Sequence, residues 1–270
     1  MIIDFHTHAF PDKVAANAIP KLTRINQIQP STDGTVDGLR SSMEETGIDL
    51  SVVLPVVTDP HQFDSILRFA SLINETYADA ETPRLLSFGG VHPQSEKLRH
   101  ELQLLKNEGI QGIKLHPCYQ DTVFDDIRYM RLIYTASELG LIVVTHAGID
   151  PYMPTQNLCT PDMILHVLDE VAPPKMVLAH FGNNENYEES IEKLCGKNVY
   201  LDTSYSFVNS PDELLVRLVQ AHGADKILFA SDAPWTVQKV GVEKLKNLQG
   251  LSDTEKEQIF SLNAKKLLTL

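Results

Sequence analysis

Short apolar runs recur along the chain, each followed by a longer stretch with helical spacing. Eight runs read as strands: Ile2–His8, Leu50–Val57, Leu85–Val91, Gly112–His116, Leu141–His146, Met176–His180, Val199–Ser204 and Ile227–Asp232. They are rich in Val, Ile and Leu at nearly every position, not at alternate ones. That is the pattern of parallel strands covered on both faces. Between them, Leu39–Thr46, Ser65–Ala80, Glu96–Glu108, Ile127–Leu139, Pro161–Val171, Asn186–Cys195, Pro211–His222 and Val242–Leu248 have helical periodicity with a polar face. Gly109, Gly140 and Gly223 fall just past three of these, where a left-handed C-terminal residue needs no Cβ. Ser252-Asp253-Thr254-Glu255 reads as a capping box that opens a last helix, Thr254–Leu268.

Strands alternating with helices, without internal repeat or low-complexity linker, predict one domain over 1–270. Its fold class is α/β, a parallel eight-stranded (β/α)8 TIM barrel. An open doubly wound sheet would want a Gly-rich phosphate loop after an early strand, and none is present. The segment Pro11–Pro30 is longer than an ordinary βα loop, and is expected to fold over the barrel mouth as a lid or pocket wall.

Composition narrows the class. With 36 acidic against 23 basic residues the formal net charge is −13, which argues against a nucleic-acid or anionic membrane partner. No apolar segment approaches the roughly twenty residues that cross a bilayer. Met1-Ile2-Ile3-Asp4 leads into a strand without the basic and apolar regions of a secretory signal. Cys118, Cys159 and Cys195 are far apart and show no CxxC spacing, so no disulfide framework is expected. The expected compartment is the cytoplasm. Assembly into a homo-oligomer is left open.

Ionisable residues interrupt five of the apolar runs at their C-terminal ends: His6 and His8, Lys114 and His116, His146, His180, and Asp232. In a TIM barrel these ends share one mouth. Residues i and i+2 of a strand face the same way, so His6 and His8 can meet one metal ion, with His146 as a third nitrogen ligand. Asp232 is placed as a carboxylate ligand or as partner of a bound water. Phe10, Tyr119, Tyr152 and Trp235 follow strand ends and are candidate pocket walls; Asp202 and Ser204 are candidates to support the site from behind. His92 ends the third run and is not assigned to the metal. His61, His100, His166 and His222 fall in helical or loop stretches and read as surface residues.

The ordered set Ile3-Asp4-Phe5-His6-Thr7-His8, Thr145-His146-Ala147-Gly148, Leu178-Ala179-His180-Phe181-Gly182 and Ala230-Ser231-Asp232-Ala233-Pro234-Trp235 resembles the amidohydrolase superfamily. More narrowly it resembles the amidohydrolase 2 branch, which holds hydrolases and non-oxidative decarboxylases of the aminocarboxymuconate-semialdehyde type. The C-terminal Asn263-Ala264-Lys265-Lys266-Leu267-Leu268 is also similar to the end of that family. The resemblance implies that His6, His8, His146 and Asp232 hold a divalent metal, one Zn2+, with His180 beside it as a catalytic or polarising group. It also leaves Lys114 two roles. It either pairs with a substrate carboxylate or, carboxylated, bridges two metals; His116, on the same face, is a candidate substrate contact.

Hydrolysis of an amide, ester or lactone in a small carboxylated molecule is the leading expectation, through a metal-activated water with Asp232 moving the proton. Non-oxidative decarboxylation on the same site is the alternative. A TatD-like deoxyribonuclease also begins with HxH, but would want a glutamate where this chain has Lys114. A silent metal-binding sensor on the same barrel is disfavoured, because nothing essential to catalysis is missing.

Overall fold

The structure is a computed structural model and describes residues 1–81 and 83–270. All eight strands form: β1 (Ile3–Thr7), β2 (Leu50–Val53), β3 (Arg84–Ser87), β4 (Gly112–Leu115), β5 (Ile142–Thr145), β6 (Met176–Leu178), β7 (Tyr200–Asp202) and β8 (Ile227–Leu228). Each is shorter than its apolar run, because the last residues leave the ladder to shape the mouth. All pairings are parallel, in a three-stranded run β1-β2-β3 and a five-stranded run β4-β5-β6-β7-β8.

Hydrogen bonds join the two runs at both seams. Gly89 N donates to Gly112 O and Lys114 N to Gly89 O, both at 2.9 Å. On the other side Phe5 N donates to Phe229 O (2.9 Å) and His8 N to Ala233 O (2.7 Å). The ring of strands is thereby continuous.

The main helices are α1 (Asp12–Asn26), α2 (Val36–Thr46), α3 (Phe63–Tyr77), α4 (Leu98–Asn107), α5 (Ile127–Glu138), α6 (Pro161–Val171), α7 (Tyr187–Lys193), α8 (Ser206–Asn209), α9 (Asp212–His222) and α10 (Gln238–Asn247). Then α11 (Asp253–Glu257), a π-turn (Gln258–Leu262) and α12 (Asn263–Leu268) run on as one helical stretch. The Ser252–Glu255 capping box is made in both directions. Gly109 and Gly140, at φ 73°, adopt the left-handed conformation that ends α4 and α5.

Two helices differ from the sequence reading. The short α8 was not anticipated, and Pro11–Pro30 is not simply a loop but contains α1. Ala15 and Ile19 anchor α1 to the body, while Pro20 sits on its exposed side. No helix among the described residues is long and apolar enough to cross a membrane.

The core has two layers. Leu39, Leu102, Ile133, Val167, Leu218 and their neighbours fill the space between strands and helices. An inner cluster holds Ile3, Phe5, Leu50, Val52, Leu54, Phe88, Ile142, Val144, Val177 and Leu228, joined by Ala264, Leu267 and Leu268 of α12. This apolar interior, at about 1.5–3 kcal/mol per buried large side chain, holds the strand ends in register under the mouth.

His222 corrects the sequence reading. It is buried, not on the surface; it accepts from Gly196 N at 3.2 Å and faces Val199 O at 3.0 Å.

Candidate metal centre

His6, His8, Lys114, His116, His146, His180 and Asp232 all line one cavity of about 510 Å³ above the strand ends, together with Phe10, Tyr119, Tyr152 and Trp235. His92 is buried but lies outside this lining.

The geometry begins with an irregularity. The register of β1 on β2 shifts between Asp4 and Thr7. Ile3 and Phe5 join the inner cluster whereas His6 and His8 face the cavity, so the irregular stretch spans the change of face. At the other side of the seam, Asp232 N donates to His6 O at 2.9 Å. Asp4 fixes this junction from beneath. Its carboxylate accepts from Ser231 N (2.9 Å), Ser231 Oγ (2.6 Å) and Gln238 Nε2 (2.8 Å). Burial pushes the Asp4 carboxyl up to about 6 despite these donors. The sequence reading gave Asp4 no role, although a carboxylate in the middle of an apolar strand was a signal.

His6 Nε2, His8 Nε2 and Asp232 Oδ1 form a triangle. The histidine nitrogens are 3.2 Å apart, and Asp232 Oδ1 lies 3.4 Å from His6 and 3.2 Å from His8. Two donor atoms each about 2.1 Å from one ion stand about 3.0–3.4 Å apart. The rings also present the right atoms. His6 Nδ1 donates to Asp202 Oδ2 at 2.9 Å and His8 Nδ1 to Leu54 O at 3.0 Å. Each Nε2 is therefore left with its lone pair, as a metal ligand requires. Burial and the Lys114 ammonium push His6 down to about 3, so it is a neutral imidazole although its partner is a carboxylate.

A second relay ends on His146. His180 Nδ1 donates to Ser204 O at 3.0 Å, so its Nε2 accepts from His146 Nδ1 at 3.1 Å. This leaves the lone pair on His146 Nε2, a buried atom with no hydrogen-bond partner; Asp232 Oδ1 is orphaned in the same way. Two buried, unpartnered acceptors beside the His6 and His8 nitrogens fit the binding of a divalent cation. Both ring nitrogens of His180 are engaged with the protein, so it orients His146 more directly than it meets a ligand. Asp202 underlies both relays, because its Oδ1 also accepts from His180 N at 3.0 Å and from Ser204 Oγ.

His146 stands apart from the triangle. It groups with His116 and Asp150, stacked on the His116 ring at 4.3 Å between centroids. His116 Nδ1 accepts from Tyr119 N at 3.4 Å, which leaves its proton on Nε2, 3.5 Å from Asp150 Oδ2. A protonated Nε2 is a donor, so in this arrangement His116 faces Asp150 as a hydrogen-bonding group, while His146 keeps a free Nε2. Asp150 was missed by the sequence reading; its spacing of four from His146 was the available signal.

Lys114 is fully buried with Nζ 3.1 Å from His6 Nε2. Burial lowers it to about 8, against the pull of Asp202, Asp232 and Asp150. Cys118 is held the other way: burial and Asp150 raise its thiol to about 11, which removes it as a nucleophile.

The backbone is strained where these groups emerge. His180 (φ 57°), Phe181 (φ 52°), Tyr205 (φ 62°) and Asp232 (φ 74°) are non-glycine residues in the left-handed region, a feature that clusters at functional sites. Gly148 (φ 90°) allows the β5 and β6 loops to meet, since a Cβ there would come within 2.1 Å of Asn184 N.

The sequence profile of the amidohydrolase family matches residues 3–270. Comparison with curated proteins gives no match. Among solved structures, the chain is similar to an uncharacterized TIM-barrel protein from Bordetella bronchiseptica, with a TM-score of 0.77 at 19% identity, covering 99% of this chain and 98% of that one. It is also similar to 2,6-dihydroxybenzoate decarboxylase from Rhizobium (TM-score 0.73, 16% identity, 99% and 98% covered). A third is dihydroxybenzoic acid decarboxylase from Polaromonas sp. JS666, solved with bound manganese and the inhibitor 2-nitroresorcinol (TM-score 0.71, 16% identity, 100% and 97% covered). At these identities the likeness establishes the fold, a TIM barrel.

Proposed function

The chain belongs to the amidohydrolase family, and from that premise we propose that it is a metal-dependent, non-oxidative decarboxylase of a small hydroxylated aromatic acid. The observation that carries this reading is a buried ammonium, Lys114, beside three atoms placed as metal ligands would be, in a mainly apolar, aromatic-walled cavity. Such a site suits an aromatic ring bearing an anion. The decarboxylases among its structural relatives support it, and turn the expectation away from hydrolysis.

His6, His8 and Asp232 would hold the metal, with His146 completing the set from the adjoining wall. Bound there, a divalent ion supplies Lewis-acid binding of a substrate oxygen; manganese in a relative makes it as good a candidate as zinc. Lys114 pairs with the substrate carboxylate and stays uncarboxylated in this reading. Asp232 takes the proton of the ring hydroxyl and passes it to the carbon that bears the carboxylate. The carbon–carbon bond then breaks, its electrons return to the ring, carbon dioxide leaves, and the ring oxygen regains a proton from water. Asp202 holds His6, and His180 holds His146, in the tautomers these tasks need. Stacked Tyr119 and His116 keep the ring in place.

The test is product analysis on protein stripped by chelator and reloaded with Mn2+ or Zn2+. Dihydroxybenzoates should give bicarbonate and the decarboxylated ring in equal amounts, only with metal. Acid released from lactones or esters without bicarbonate would make the enzyme a hydrolase and contradict the proposal.

A further inference from the structure

The cavity has a second end that the proposed chemistry does not use. Along α1, Val14, Ala18 and Leu22 recur every fourth residue and face the cavity, while Ala15 and Ile19 face the body. Opposite them stand Val56, beyond β2, and Ile66 and Phe69 of α3. These side chains make a mainly apolar part of the lining, contributed by helices and loops and not by the strand ends that carry the ligand triangle. Among the described residues lining this end, the one charged side chain is Lys21, which is solvent-exposed; Asn26, Thr58, Gln62 and Ser65 are polar but uncharged.

Volume and charge together restrict what fits. An apolar cavity of about 150 Å³ is enough to take up a benzene ring, and this one is about 510 Å³. A single ring with one carboxylate and two hydroxyls would leave part of the apolar end against water, which is unfavourable. A second anion at this end would lie among Val, Leu, Ile and Phe without a buried cation, which costs more than the space returns.

Building on the decarboxylase reading, we propose that the substrate is an aromatic acid whose ring carries, away from its carboxylate, an uncharged apolar group of about ring size. Its acidic head lies at Lys114 and the ligand triangle, and its apolar body lies between α1 and α3. Fused two-ring hydroxy acids and aryl-substituted hydroxybenzoates have this shape; benzene dicarboxylates do not.

Titration calorimetry on Mn2+-loaded protein tests this with three probes: 2,6-dihydroxybenzoate, 3-hydroxy-2-naphthoate and 4-hydroxyisophthalate. The naphthoate should bind at least about tenfold more tightly than the single-ring acid, from the apolar area of its second ring. The dicarboxylate should gain nothing. Ala18→Phe, which fills the apolar end, should erase most of the naphthoate's advantage; Phe69→Ala, which widens it, should reduce that advantage independently, with thermal melts checking that both variants fold. Equal binding of naphthoate and dihydroxybenzoate, or an advantage that survives both substitutions, would overturn the proposal. Bicarbonate release followed on the same samples separates the two claims. The expected binding order without bicarbonate would remove the decarboxylase chemistry and keep the substrate class.

Discussion

The two ends of the cavity are built on opposite principles. At the strand ends the side chains placed to hold the metal have partners behind them: His6 has Asp202, His8 the Leu54 carbonyl, His146 has His180, and the Asp232 loop has Asp4. At the other end Val14, Ala18, Leu22, Ile66 and Phe69 offer only surface, from helices laid over the mouth. The first end fixes atoms to within a fraction of an ångström, as acid–base and metal chemistry require. The second fixes only shape and polarity. Reaction and specificity are thus carried by different parts of the chain, and substitutions in each should fail differently.

The largest effect should come at the polar end. Asp232→Asn keeps the shape but removes the carboxylate, and turnover should fall about a thousandfold. Steady-state kinetics beside metal analysis checks this; a variant that retained turnover would contradict the proposed proton path. Gly148→Ala tests whether the polar end depends on its backbone. Its Cβ meets Asn184 N, so the β5 and β6 loops must part. A stability loss of at least about 2 kcal/mol in urea unfolding is expected, with lower activity. An unperturbed variant would mean the loops do not need this contact.

Phe69→Ala should behave in the other way, raising KM about tenfold with kcat little changed, as loss of binding common to ground and transition state does. A fall in kcat alone would merge the two ends. The smallest effect lies outside both. Burial holds the buried His222 neutral below its ordinary range. Below pH about 6.5 the unfolded chain takes up a proton that the folded one refuses, so this contribution to stability is lost as the pH falls. His222→Gln should therefore lose less stability than the parent between pH 7.5 and 5.5, by about 1 kcal/mol or less. Equal acid sensitivity in both would show that His222 does not titrate on unfolding.

The same division explains what could be read from the amino-acid order. The strands were legible because each is a short unbroken apolar run, and the polar end because histidines and a carboxylate interrupt those runs at one end. Helix α1 was hidden by Pro20 and by a start at Pro11 without a side-chain cap, although its apolar repeat at Val14, Ala18 and Leu22 was present. Which nitrogen His146 presents was not legible, since it depends on ring tautomers set by Ser204 and His180, far away in sequence. Asp4 and Asp150 each carried a signal, a carboxylate inside an apolar run and a spacing of four from His146, but their partners show only when the chain is folded. The burial of His222 was masked by its place at a helix end.

The most direct test of the account is anomalous diffraction from crystals of the Mn2+-loaded protein. One peak is expected in contact with His6 Nε2, His8 Nε2 and Asp232 Oδ1. A peak among His116, His146 and Asp150 instead, or none at the strand ends, would contradict the account at its centre.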